Sequence, residues 1–325
     1  MDDTNWTSVS EFVLLGLSER LDLQPLIFAG LLTTYLVNLA GNSLLLGAVW
    51  ADPRLRSPMY FLLSQLAVVD VSFASITLPQ ALVHVLTQHR AVPFASCMAQ
   101  LFIFMAVGNM EGYLLAAMAY DRYVAICNPL HYATVVTRPL CLKMAAISWA
   151  VVIPHSLLHT VMAARLRYCS RRLQHFFCDL PPLLHLSCTR PFSNELAAFT
   201  EGVLVVLAPF VFILASYACI GVTVGRLRSS HGLLKALSTC GSHLTVVILF
   251  YGTVTWLYFR PASSYSQERD RQVAIFYTAV APALNPLIYS LRSKDVAVAL
   301  RRARRKILAR GVLGTPSLPI PANSH

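Results

Sequence analysis

Two acids, Asp70 and Glu111, lie inside long apolar stretches of this chain. A carboxylate held away from water is costly, so an acid in such a place is a candidate for function. Two that converge either share a proton or bind a cation, because like charges at close range do not both stay ionised cheaply. The plainer reading is a protonated Glu111 hydrogen-bonded within a helix bundle. A third acid, Asp121, is followed at once by Arg122, between an apolar stretch and the loop that begins at Asn128-Pro129. A guanidinium there can pair with Asp121 at rest, or turn its donors to the carbonyls of an inserted partner helix. Its plainer reading is an arginine that snorkels to a membrane surface. His155 and His159 stand one helical turn apart, and His175, Cys178 and Asp179 also have metal-ligating side chains. Copper or zinc would suit such donors and a soft ligand such as a thiol. A disulfide at Cys178 would remove its thiolate, and the reading is that no native metal site is present. No nucleophile, base and acid come together by motif, so an enzyme is not expected.

The elements that must carry these residues are apolar. Hydrophobic residues make up 56% of the 325 and charged residues only 13%, against roughly 25% charged in a soluble domain. A spanning helix needs about 20 mostly apolar residues. Seven stretches qualify: 23–51, 58–84, 95–120, 140–162, 196–224, 237–259 and 272–291. Pro79, Pro154, Pro209, Pro282 and Pro286 fall inside or at the ends of these stretches, where neighbouring helices can re-satisfy the freed backbone groups. The expected fold is an all-α membrane protein, a seven-transmembrane helix bundle over residues 25–291 behind an extracellular segment, 1–24. Residues 292–309 read as a short cytoplasmic amphipathic eighth helix. Val296, Leu300, Ala303 and Ile307 share one face of it and arginines cover the rest, a pattern that lies on anionic lipid. Residues 310–325 are rich in Pro, Ser and Gly and read as a disordered tail.

Acids crowd residues 1–22, without the basic start and apolar core of a cleavable signal, so the first span is expected to direct its own insertion. With the amino terminus outside, the inner segments, from Arg54 to Arg310, hold 16 of the 26 basic residues. Arg165, Arg167, Arg171 and Arg172 in one long outer loop depart from that rule. The net charge of +11 therefore follows membrane topology, and no nucleic-acid partner is expected. Asn5 heads an Asn-Trp-Thr glycosylation sequon, usable if the amino terminus is lumenal. Cys97, Cys169, Cys178 and Cys188 fall on the outer, oxidising side. Residue order alone leaves three pairings of these four open.

Several longer motifs, in order, resemble one family. Met118-Ala119-Tyr120-Asp121-Arg122-Tyr123-Val124-Ala125-Ile126-Cys127 is similar to the inner end of the third helix of rhodopsin-like G-protein-coupled receptors, in the spelling of the olfactory (odorant) branch. Gly41-Asn42, Pro58-Met59-Tyr60-Phe61-Leu62-Leu63-Ser64, Ser216-Tyr217, Lys235-Ala236-Leu237-Ser238-Thr239-Cys240 and Pro282-Ala283-Leu284-Asn285-Pro286 extend the likeness from about Asn5 to about Lys306. Arg56-Ser57 stands where the family usually has His-Thr, and Ser293 where Asn is common. The second-span entry resembles the tetrapod-type class II.

The resemblance implies roles. It pairs Cys97 with Cys178 and Cys169 with Cys188. It brings Asp70 and Glu111 together near Asn42 and Asn285 as a sodium or proton site. It assigns coupling to Asp121, Arg122 and Tyr123, with Tyr217 and Tyr289 swinging towards the arginine and Lys235 on the basic inner face. It lines a ligand cavity with Phe104, Met105, Gly108, Asn109 and Gly112 of the third span. Glu201, Val205 and Val206 join from the fifth, Tyr251, Val254, Thr255 and Tyr258 from the sixth, and Ile275 and Thr278 from the seventh. Such a wall, apolar with a few hydroxyls and one amide, suits a small volatile with one polar group. For each of these residues plain packing is an equal reading, and Gly108 with Gly112 would also serve close helix approach. Glu201 reads first as the partner of a loop arginine and second as a contact for a polar ligand group. The implied function is an odorant receptor in the plasma membrane that activates a stimulatory, olfactory-type G protein and raises cyclic AMP. Membrane lipids and a trafficking accessory protein are its further expected partners. The alternatives are a receptor of the same fold for a metabolite outside the nose, and a membrane transporter. A transporter would need paired broken helices and internal repeats, which the sequence does not display.

Overall fold

The computed structural model describes residues 9–17, 21–87, 90–226, 230–258, 267–292 and 295–302. The chain is mostly helical. The helices are α1 Gln24–Ala51, α2 Pro58–Thr87, α3 Phe94–Cys127, α4 Tyr132–Val135, α5 Arg138–Ala164, α6 Leu180–His185, α7 Phe192–Gly202, α8 Ala208–Arg226, α9 Ser230–Tyr258, α10 Gln267–Ile275 and α11 Ala281–Arg292. Among the described residues six helices are long and apolar enough to cross a membrane, counting Phe192–Arg226 as one. The stretch Gln267–Arg292 is also helical, but it opens on the polar run Gln267–Gln272 and contains Pro286.

Local chemistry sets the ends. Thr137 caps α5 by accepting from the Leu140 amide, with Pro139 in the first turn, where its missing N–H is harmless. Asp179 caps α6 in the same way, through the Leu180 amide. Two π-helical turns, Val203–Leu207 and Phe276–Val280, interrupt otherwise regular helices. Each extra residue in a turn rotates the next side chains to a new face, and such turns gather at functional sites.

Helix α3 runs through the middle of the bundle, packed on α2, α5, α8 and α9. The outer surfaces of the bundle stay apolar: Trp50 is 89% exposed, and Leu204, Val211 and Ile248 also point outward. That is a lipid-facing surface, because no soluble protein leaves so broad an apolar face in water. Helix α1 meets α11 closely: a Cβ added at Gly41 would lie 2.8 Å from Pro286 Cγ.

The expectation of an all-helical chain needs one correction. Strands β1 Glu11–Leu14, β2 Ala91–Pro93 and β3 Arg172–Leu173 form a small sheet, with β1 in the middle, antiparallel to β2 and parallel to β3. Phe12 and Leu14 turn alternate side chains inward, onto Leu101, Leu173 and Leu183. A segment too short to read as a strand is ordered by the loops on both sides of it. At the other end of the bundle residues 295–302 are helical, with Val296 and Ala299 buried and Arg301 and Arg302 exposed. Asn5, residues 303–309 of the expected eighth helix and the tail from 310 lie outside the described residues, as do the side chains of Lys235 and Tyr258.

Candidate functional site

At the end of the bundle that carries the sheet, α2, α3, α5, α7, α9 and the π turn Val203–Leu207 surround a cavity of about 370 Å³. Phe104, Met105, Gly108, Asn109 and Gly112 give it one wall, at the spacing of a regular helix. Val205 and Val206 come from the first π turn, and Tyr251 and Val254 from α9. The glycines make room: a Cβ at Gly108 would sit 3.0 Å from the Phe73 ring, and one at Gly112 3.0 Å from the Tyr251 hydroxyl. Helix α6 roofs the space with Leu180, Pro181, Leu184 and His185.

The roof is held from below. Cys97 at the start of α3 is bonded to Cys178, and Cys169 to Cys188. The Cys178 amide donates to Gln100 Oε1 at 2.9 Å, and Gln100 in turn donates to the Ile76 carbonyl and to Gln80.

Several expected residues do not line this space. Thr255 points away from the bundle, next to the lining Val254, because neighbours on a helix face different directions. Thr278 is fully buried and donates to the Ala274 carbonyl at 2.7 Å. Its neighbour Tyr277, inside the π turn, lines the cavity in its place, and Ile275 does not. Glu201 points to neither the cavity nor a loop arginine; it meets His155 and His159. The polar lining is therefore richer than one amide and some hydroxyls: His155, His159, His185 and Glu195 add to Asn109 and Tyr251. The one-turn spacing of His155 and His159 was the only sign of this in the sequence.

Below the cavity lies a buried polar cluster. The Asn285 side chain donates to Asp70 Oδ1 at 2.9 Å, and Glu111 is buried beside the same cluster. Asn38 donates to the Asp70 carbonyl, and Asn42 to the carbonyls of Asn38 and Pro282. The Oδ1 atoms of Asn38, Asn42 and Asn285 have no hydrogen-bond partner. Two carboxylates with spare amide oxygens form an all-oxygen donor set, which fits a hard cation or a shared proton.

At the far end Asp121 and Arg122 do not form the pair expected of them. Asp121 accepts from the Tyr132 hydroxyl at 2.8 Å, and Arg122 contacts the Met59 sulfur. Successive residues on a helix cannot face each other, so the fold finds each a partner from another element. Burial first, and then the charge of Asp121, raises the Tyr132 pKa, which keeps that hydroxyl a donor. The Tyr217 hydroxyl lies 2.7 Å from His243 Nδ1, and His243 Nε2 lies 2.9 Å from the Leu115 carbonyl. A carbonyl only accepts, so Nε2 carries the proton and Tyr217 donates to Nδ1. This relay ties α8, α9 and α3 together. Tyr123 packs against the same small cluster as Tyr217, while the buried Tyr289 hydroxyl has no partner.

Cys178 is in a disulfide and so offers no thiolate beside His175, whose Nδ1 donates to the Phe177 carbonyl at 3.2 Å. Its ring stacks on Phe176 and is buried. Burial, aided by the charge of Arg271, pushes its pKa down to about 3. The folded state therefore holds His175 neutral, while the unfolded chain takes up a proton below pH ~6.5. Stability is complete above that pH and is lost as pH falls towards 3, by about 2 kcal/mol between pH 7 and 5. Thermal unfolding of the purified protein across that range should show the slope, and His175→Phe should flatten it; an unchanged slope in the variant would refute the assignment.

The sequence profile of the olfactory receptor family matches residues 31–306. Human olfactory receptor 1J1 is 46% identical over 303 residues, covering 93% of this chain and 94% of that protein. Rat olfactory receptor 1f45 is 48% identical over 303 residues, covering 93% and 97%. Human olfactory receptor 1L3 is 47% identical over 308 residues, covering 94% and 95%. With its motifs, its helix bundle and its cavity, the chain belongs to the olfactory receptor family of G-protein-coupled receptors, and it is a multi-pass membrane protein and not an enzyme.

Proposed function

We propose that this receptor binds a small, mostly apolar volatile in the cavity between α3, α5, α7 and α9 and activates a stimulatory G protein, raising cyclic AMP. In this reading Gln267–Arg292 completes seven spans, residues 295–302 begin an amphipathic eighth helix on the inner leaflet, and the amino terminus is extracellular. The single observation that carries it is the cavity of about 370 Å³, closed by α6 and set above the Tyr217–His243–Leu115 relay. A space of that size holds a molecule of roughly ten to fifteen heavy atoms. Ligand against Tyr251 and Val254 bears directly on α9, which also carries His243. The test is cyclic AMP in cells carrying the chain and an olfactory-type stimulatory G protein, against a broad panel of volatiles, with surface staining and the trafficking accessory proteins such receptors use. A dose-dependent rise supports the reading. Silence across the panel with good surface display, and with the G protein proven on another receptor, counts against it.

The cluster of Asp70, Glu111, Asn42 and Asn285 is proposed to hold a sodium ion or a shared proton that steadies the resting receptor. Buried carboxylates and unpartnered amide oxygens support this. Asp70→Asn is expected to abolish any sodium dependence of basal cyclic AMP, measured in sodium and in choline buffers. Unchanged dependence in the variant would leave the cluster a purely structural network.

A further inference from the structure

His155 and His159 lie on one face of α5, their rings 4.5 Å apart, and Glu201 reaches both from the end of α7. Glu201 Oε2 is 3.1 Å from His155 Nδ1 and 3.5 Å from His159 Nε2. One donor atom from each residue falls within 4.8 Å of the others, the one such group of three or more among the described residues. Both histidines are buried, His159 at 2% exposure, and His159 Nε2 has no hydrogen-bond partner. A buried ring nitrogen turned towards a carboxylate, close to it but without a hydrogen bond, lacks a partner that a cation between the two would supply.

We propose that His155, His159 and Glu201 bind a zinc-type divalent cation in the cavity wall, and that the cation takes the head group of the ligand at its remaining position. Two imidazoles and one carboxylate are a zinc donor set, and imidazole also suits copper. Zinc prefers four ligands, so three from the protein leave one position open. His155 and His159 line the cavity, which places that position where a small molecule arrives. Donors about 2.0–2.2 Å from zinc stand roughly 3.3 Å apart, so the spacing here closes with small side-chain adjustments. Glu201, 35% exposed, leaves a route for the ion. The class of ligand follows: a small apolar molecule with a sulfur or nitrogen donor. A thiol would lose its proton to solvent as the S–H bond breaks and the sulfur–metal bond forms, with no change of oxidation state. This specificity rests on the cavity being the ligand site; the cation site does not.

Purified receptor in lipid nanodiscs would be dialysed against Zn²⁺ and the bound metal measured, with Co²⁺ as a visible probe of coordination. One equivalent is expected in the parent. Binding should weaken at least about 10-fold in His159→Ala and in the near-isosteric Glu201→Gln, since lost direct ligands cost no less than lost second-shell partners. Their folding is checked by thermal unfolding. Butanethiol should then add a sulfur charge-transfer band to the Co²⁺ spectrum, and butanol should not. Absence of an equivalent of zinc in the parent, or equal binding in both variants, overturns the site. A Co²⁺ spectrum blind to butanethiol overturns the ligand class. None of these readouts needs a G protein, so failure of the signalling reading would show separately.

Discussion

Cells carrying Arg122→Ala are expected to lose the ligand-evoked rise in cyclic AMP while keeping the receptor at the surface. Among the described residues the one hydrogen-bond partner of Arg122 is the Met59 sulfur, and Asp121 is engaged by Tyr132. Its guanidinium thus forms no ion pair among the described residues, and it lies near Tyr217 and Tyr289. A partner helix that offers backbone carbonyls would gain two or more charge-assisted bonds at about 1.5–3 kcal/mol each. Their loss corresponds to roughly a 100-fold or greater fall in coupling. Arg122→Lys should rescue little, since an ammonium lacks the planar fork. The dose–response curve, normalised to surface staining, is the measurement. A variant with parental potency and amplitude would show that the motif serves topology alone.

Removing the Cys97–Cys178 bridge should be the most damaging single covalent change. The bond closes a sequence separation of 81 residues and joins the start of α3 to the strand, loop and helix that roof the cavity. Loss of such a bridge costs about 2–5 kcal/mol. Cys178→Ser is therefore expected to lower the unfolding temperature of the purified receptor by several degrees or more and to deplete it from the cell surface. Cys188→Ser opens a separation of only 19 residues and should cost about 1 kcal/mol less on chain entropy. The double variant Cys97→Ser/Cys178→Ser should be no worse than either single one. A Cys178→Ser receptor that unfolds at the parental temperature would mean that Gln100, the small sheet and the packing beneath it hold the roof without the bond.

Regular, one-helix features were legible in the residues themselves. Phe104, Met105, Gly108, Asn109 and Gly112 share a wall because α3 is an uninterrupted helix, and its 3.6-residue period passes straight from sequence to space. The apolar runs marked the helices to within seven residues at each end, because backbone groups in lipid must bond within their own segment. Across helices the same reasoning weakened. In the π turn at 276–280 Tyr277 lines the cavity and Thr278 does not, and no apolar period announces such a turn. Glu201 looked like the partner of an arginine until α7 packed beside α5 and met two histidines. Residues 11–14 became a strand only because β2 and β3 flank them.

By itself, then, the sequence determined the membrane class, the family and the helical faces, since each depends on the hydrophobicity and order of nearby residues. The tertiary structure alone decided which faces meet and at what depth and rotation. It set Arg122 on Met59, Tyr217 on His243 and Glu201 on His155, because contacts between elements depend on packing that no local period encodes.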